Sequence, residues 1–179
     1  MKQKKITVLS ARRTLLDRKV SVFTLSEFRR LFPVSAIQAK YFLETYTKKG
    51  MFIRLKPGLY AFEGRMPSGE EIANALYRPS YISFEYALAK YGIIPETVYM
   101  ITSATTKPTR FFDISDHGYE YLKIKKEAFT GYALKKRVGE REQAVLIAEP
   151  EKAFVDYLYF VSLGKKSWND RIDARKLNQ

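Results

Sequence analysis

The 179-residue chain contains no cysteine, which excludes disulfides, thiolate zinc sites and cysteine nucleophiles together. Its one histidine, His117, stands in the run Ser115-Asp116-His117-Gly118. As a metal ligand it would depend on carboxylates alone, and it reads instead as a turn residue; neither a metal nor a cofactor is expected. Long apolar runs are missing too: none approaches the roughly 20 residues that cross a bilayer. The opening MKQKKITVLSARR has too short an apolar core for a signal peptide, so a cytoplasmic protein without a membrane partner is expected. No phosphate-cradling glycine loop and no nucleophile with an adjacent base is present. Ser83 with Glu85 makes no catalytic pair, and Glu151, which with Glu149 and Asp156 suggests an acid cluster, has an ordinary electrostatic reason to open a helix. No enzymatic activity is expected.

Acidic residues are scarce in one place. Through Gly58 there are three, Asp17, Glu27 and Glu44, against 14 Lys and Arg. That segment carries +11 of the total +13 and leaves 18 basic and 16 acidic residues for the rest of the chain. A local excess of this size points to a polyanion, because each phosphate neutralised releases condensed counterions. The asymmetry also favours two domains, and with 46% hydrophobic and 15% aromatic residues each can bury a core. The expected division is a first domain over 1–63, a second over 68–163 and a polar tail over 164–179, with the Gly-, Pro- and Ser-rich run after Phe62 as linker.

The first third reads as helices followed by a hairpin. Residues 6–19 form a first helix, with Val20 to Phe23 as a link. Thr24 with Glu27 is a capping-box pair opening a second helix that buries Leu25, Phe28 and Leu31 before Pro33 stops it. Ser35 caps a third helix running to about Lys49, with Gly50 where a left-handed residue is wanted. Met51 to Leu55 and Leu59 to Phe62 are strands joined by the turn Lys56-Pro57-Gly58. This is the order of a winged helix-turn-helix, the third helix reading DNA and the hairpin forming the wing. With Ala39, Leu43 and Tyr46 turned inward, Gln38, Tyr41, Thr45 and Lys48 line the recognition face. Ser35, Gln38 and Tyr41 are the expected base contacts; Arg29, Arg30, Lys40, Lys48, Lys49, Arg54 and Lys56 are the expected phosphate contacts.

The remainder is mixed. Helices are expected from near Ser68 to Leu76 and from Phe84 to Tyr91. Period-two patterns follow at Val98 and Met100, Phe111 to Ile114, Tyr119 to Lys125 and Ala144 to Ala148. Pro150 opens a last helix through Val161. The fold class is therefore α+β: an N-terminal winged helix-turn-helix and a small α+β domain.

Three separated segments carry a family resemblance: Arg54-Leu55-Lys56-Pro57-Gly58-Leu59-Tyr60 in the wing, Pro79 to Leu88 with Tyr91-Gly92-Ile93-Ile94-Pro95 after it, and Pro150-Glu151-Lys152-Ala153-Phe154-Val155-Asp156. Together they resemble the AbiEi family of antitoxins and transcriptional autoregulators of type IV toxin-antitoxin systems, over about residues 8–163. The resemblance implies binding of double-stranded DNA at inverted repeats in the protein's own promoter, as a homodimer that mirrors their symmetry. It also implies a C-terminal antitoxin domain and a nucleotidyltransferase-like AbiEii toxin as the second partner. Longer members continue past the last helix, so the regulatory half carries over more directly than toxin neutralisation. The competing reading is a protein-interaction or toxin-neutralising module with only non-specific DNA binding.

Overall fold

Thr24 and Ser35 each stop one backbone conformation and start another, and the first third of the molecule is built around these two switches. The structure, a computed structural model, describes residues 6–114, 117–137 and 143–178. It is mixed α+β and divides into two compact units, Met1–Ser68 and Gly69–Gln179.

In the first unit, α1 (Val8–Asp17) is followed by β1 (Val22–Thr24), α2 (Leu25–Leu31), α3 (Ala36–Lys48), β2 (Phe52–Lys56) and β3 (Leu59–Phe62). At the start of α2 the Thr24 hydroxyl accepts from the Glu27 N–H at 3.2 Å while the Glu27 carboxylate accepts from the Thr24 N–H at 2.7 Å. Two of the donors that every helix start leaves unpaired are thereby satisfied. The expected link over Val20 to Phe23 is in part a strand: β1 adds to β3, pairing Val22 with Ala61 and Phe23 with Tyr60, in an antiparallel sheet ordered β1-β3-β2. A nonlocal partner made it a strand, which local pattern does not reveal. The hairpin turn needs a left-handed residue and has Gly58 at φ +79°. The Gly58 carbonyl accepts from the Leu25 N–H at 3.1 Å, which ties the turn to the head of α2.

The core of this unit is aromatic. Phe28 is fully buried, with its ring centroid 5.5 Å from Phe23, 4.6 Å from Phe32, 5.9 Å from Phe42 and 6.3 Å from Phe52. Ala11 and Leu15 of α1 and Ala39 and Leu43 of α3 complete it. Leu25 and Leu31, expected inside with Phe28, are only half-buried at its edge.

The second unit contains α4 (Gly69–Leu76), β4 (Ser80–Ile82), α5 (Phe84–Lys90), β5 (Ile101–Thr105), β6 (Arg110–Ile114), β7 (His117–Lys123), β8 (Tyr132–Arg137), β9 (Gln143–Ala148) and α6 (Pro150–Ser162). One six-stranded sheet runs β6-β7-β5-β4-β9-β8, with β5 parallel to β7 and β4 parallel to β9. Side chains alternate across it. Tyr121 donates to the Ala73 carbonyl of α4 at 2.5 Å, whereas Tyr81 donates to Asp156 of α6 at 2.9 Å. Tyr121 lies in register with Ser103, which pairs with Ile82, so Tyr81 points the other way; α4 therefore covers one face and α6, with α5 packed on it, the opposite one. Short β4 pairs with β9 only at Ile82 and Ile147. The Asn74 amide takes over beyond that point, accepting from the Leu146 N–H at 2.6 Å and donating to its carbonyl at 3.1 Å.

Several expectations need correction here. Residues 98–100 are not strand: β5 begins at Ile101. β7 ends at Lys123, before a 3₁₀ turn over Lys126–Ala128. His117 opens β7 opposite Ile114, while Ser115 and Asp116 lie outside the described residues. The polar stretch after α6 is tied to this unit: Lys166 pairs with Glu85 at 2.7 Å, the Asp173 N–H donates to Ile93 at 2.8 Å and Lys176 donates to Gly92 at 2.8 Å. Among the described residues no helix is long and apolar enough to cross a membrane.

Asp156 is nearly buried and accepts from Tyr81, from Ser83 at 2.8 Å and from Lys152 at 2.6 Å. Burial, then the Asp156 carboxylate, pushes the Tyr81 phenol far above its ordinary value, so it remains a donor. Asp156→Ala leaves the largely enclosed Lys152 ammonium without its counterion and is expected to cost about 3 kcal/mol. Trp168, the only tryptophan, packs on Tyr157 in this unit, so its fluorescence in urea reads that loss. Phe28→Ala is expected to cost about 3–5 kcal/mol in the first unit. It lowers the urea midpoint seen by far-ultraviolet dichroism and leaves the Trp168 transition in place.

Candidate nucleic-acid interface

α3 is positioned from both sides. Ser35 caps it, its hydroxyl accepting from the Gln38 N–H at 3.2 Å while the Gln38 side-chain oxygen accepts from the Ser35 N–H at 3.2 Å. Gly50 at φ +78° follows its end, and the Met51 N–H returns to the Tyr46 carbonyl at 2.9 Å. Between these stops Ala39, Phe42 and Leu43 are buried, and Tyr46 rests on Phe42 with centroids 4.4 Å apart.

At about 100° per residue, the side directly opposite that core is Ile37, Tyr41, Glu44 and Lys48, spaced i, i+4, i+7 and i+11 on one stripe. All four are exposed, Ile37 to 82% and Tyr41 to 72%. Lys40 flanks the stripe and stands 3.9 Å from Glu44, an exposed pair that contributes little to stability.

Tyr41, Lys40 and Lys48 are thus brought together as expected. Gln38 is exposed but lies on the flank, where with Thr45 it lines an apolar groove beside Ile6, Val34 and Tyr46. Lys49 stands over the Tyr46 ring at 5.3 Å and shares a cleft with Arg12 of α1, away from the stripe. Arg29 and Arg30 are exposed on α2, Arg30 in a cleft with Val20, Val22 and Glu27. Arg54 is exposed on β2; Lys56 is half-buried where a bulge between the two shifts the hairpin register. Residues 6–68 carry twelve basic and four acidic side chains, a balance of +8.

Ile37 is absent from the expected contacts, although periodicity alone could have found it. The inward set Ala39, Leu43 and Tyr46 already points opposite Ile37, and Phe42 sharpens that direction while Gln38 falls to the flank. In the second unit, Tyr81 and Ser83 lead into the buried Asp156, Glu85 holds Lys166, and the Tyr86 hydroxyl donates to Glu70, which also pairs with Lys90. Ser83, placed before α5, does not cap it: its hydroxyl belongs to Asp156. Glu149 pairs with Lys135 at 2.8 Å.

No protein-family model matches the chain, and no curated protein is detectably similar to it; the resemblance to AbiEi proteins rests on its three motifs alone.

Ser35→Ala removes the cap of α3 and is expected to destabilise the first unit by about 1 kcal/mol, whereas Ser35→Asp, which keeps an acceptor, stays within about 0.5 kcal/mol. Urea unfolding followed by far-ultraviolet dichroism checks the contrast.

Proposed function

We propose that the chain is a sequence-specific, DNA-binding transcriptional autoregulator, its first unit acting as a winged helix-turn-helix. α3 enters the major groove, and the β2–β3 hairpin, with Arg54 and Lys56, serves as the wing along the phosphates. The observation that carries this reading is the outward stripe of α3, left uncovered by its own core, in a unit whose sequence has fifteen basic residues against four acidic ones. A helix that reads a duplex must be held rigidly by one face and offer the other, and the cap, the aromatic core and the charge all serve that arrangement. The duplex proposed is an inverted repeat in the protein's own promoter, bound by two copies related by the same two-fold axis.

By its resemblance to AbiEi proteins, the second unit is proposed as an antitoxin-like module in a cytoplasmic toxin-antitoxin system, paired with a nucleotidyltransferase-like toxin. One feature favours such a protein contact: Tyr99, Met100 and Phe111 are exposed near one another, the Phe111 ring and Met100 lying over Gly118.

Salt and substitution separate readers from clamps. Lys56→Ala is expected to weaken binding to upstream and random duplexes alike and to flatten the dependence of log K on log salt by about 0.9. Gln38→Ala is expected to leave that slope unchanged and to narrow the gap between the two duplexes, by fluorescence anisotropy at several salt concentrations. Equal losses on both duplexes from both variants contradict the assignment of roles.

A further inference from the structure

Isoleucine is a poor choice for an exposed position near the start of a helix. Its branched side chain loses rotamer freedom there, and alanine or a long polar residue forms the helix better. Ile37 gains nothing back from burial, being 82% exposed in the first turn of α3. It is not isolated either: Tyr41, 72% exposed, follows one turn later on the same stripe, and Ala36 beside it is exposed as well. An apolar strip thus occupies the end of α3 that a helix-turn-helix points at base edges, with the cation Lys40 beside it and Lys48 at the far end of the helix.

That combination selects an occupant. Lys40, Lys48 and the +11 of residues 1–68 favour a polyanion and disfavour a second copy, which across a two-fold axis would bring like charges together. Within the major groove the only apolar group on a base edge is the 5-methyl of thymine. Gln38, the expected adenine reader, has its side-chain oxygen engaged by the Ser35 N–H. On the reading of this unit as a DNA-binding one, we propose that Ile37, supported by Tyr41, is a specificity-determining residue that packs on thymine 5-methyl groups, so that the operator carries thymine where α3 enters.

The test is the affinity of the full chain for its upstream duplex, synthesised with thymidine or with deoxyuridine throughout, which differ only in the methyl groups. Each lost methyl contact is expected to weaken wild-type binding about three- to fourfold, and two contacts about tenfold. Ile37→Ala, a surface change to a better helix former, is expected to bind the thymidine duplex as weakly as wild type binds the deoxyuridine one and to discriminate no longer. Lys56→Ala is expected to keep the wild-type ratio. If wild type prefers upstream over random duplex but binds the thymidine and deoxyuridine forms alike, the DNA reading stands and this assignment falls. The assignment falls equally if Ile37→Ala retains full thymine preference, or binds every duplex as wild type does, which would leave the strip to a protein partner. If upstream and random duplexes bind equally, both readings fall together.

Discussion

The contact of Phe28 with four other rings is the constraint on which the first unit depends. It joins β1 through Phe23, α3 through Phe42 and β2 through Phe52, while Phe32 extends the same α2 chain. Aromatic rings bury large areas with few rotatable bonds, and their tilted packing is directional as well as apolar. A core of this kind fixes the angle of α3 as well as its depth. The rotation of α3 decides whether Ile37 and Tyr41 or Gln38 and Thr45 face outward, so the chemistry of the proposed interface is set by packing on its hidden side. The two capping boxes act on the same outcome by fixing where α2 and α3 begin.

The second unit is held in a different manner. Its sheet is covered on both faces, and polar groups go inside with their partners: Asp156 with Tyr81, Ser83 and Lys152, and Glu70 with Tyr86 and Lys90. Such groups add little net stability over an apolar core but cannot be rearranged without leaving a charge unpaired, which holds β4, α5 and α6 in register. Phe84 belongs to the same junction: fully buried at φ +59°, it occupies a backbone region that bulky residues avoid. Its ring meets Phe160 edge-on at 5.3 Å, and that contact helps to hold the turn from β4 into α5.

What was legible in the sequence was what is local. Thr24 with Glu27, Ser35, Gly50, Gly58 and Pro150 each act within one turn of chain, and the element boundaries they imply are the observed ones to within a residue or two. What was hidden is held by distant partners. β4 is three residues long and is a strand because β5 and β9 flank it; β8, with Tyr132, Lys135 and Lys136, shows no apolar alternation because it is an edge. The stretch after α6 lacks periodicity because Lys166, Asp173 and Lys176 reach back singly to α5 and the residues following it. At the interface the exposed cations were evident from charge, and the outward place of Ile37 follows from the helical period, whereas its exposure without a covering neighbour does not.

The central claim is that α3 reads sequence in duplex DNA upstream of the protein's own gene. Hydroxyl-radical footprinting of that region, with random duplex in excess, tests it most directly. Two protected half-sites of related sequence are expected, their centres about 34 Å or a multiple of it apart along the helix axis, as a two-fold pair of recognition helices dictates. Uniform protection, or none that survives the competitor, would reduce the basic unit to a general polyanion surface and contradict the claim.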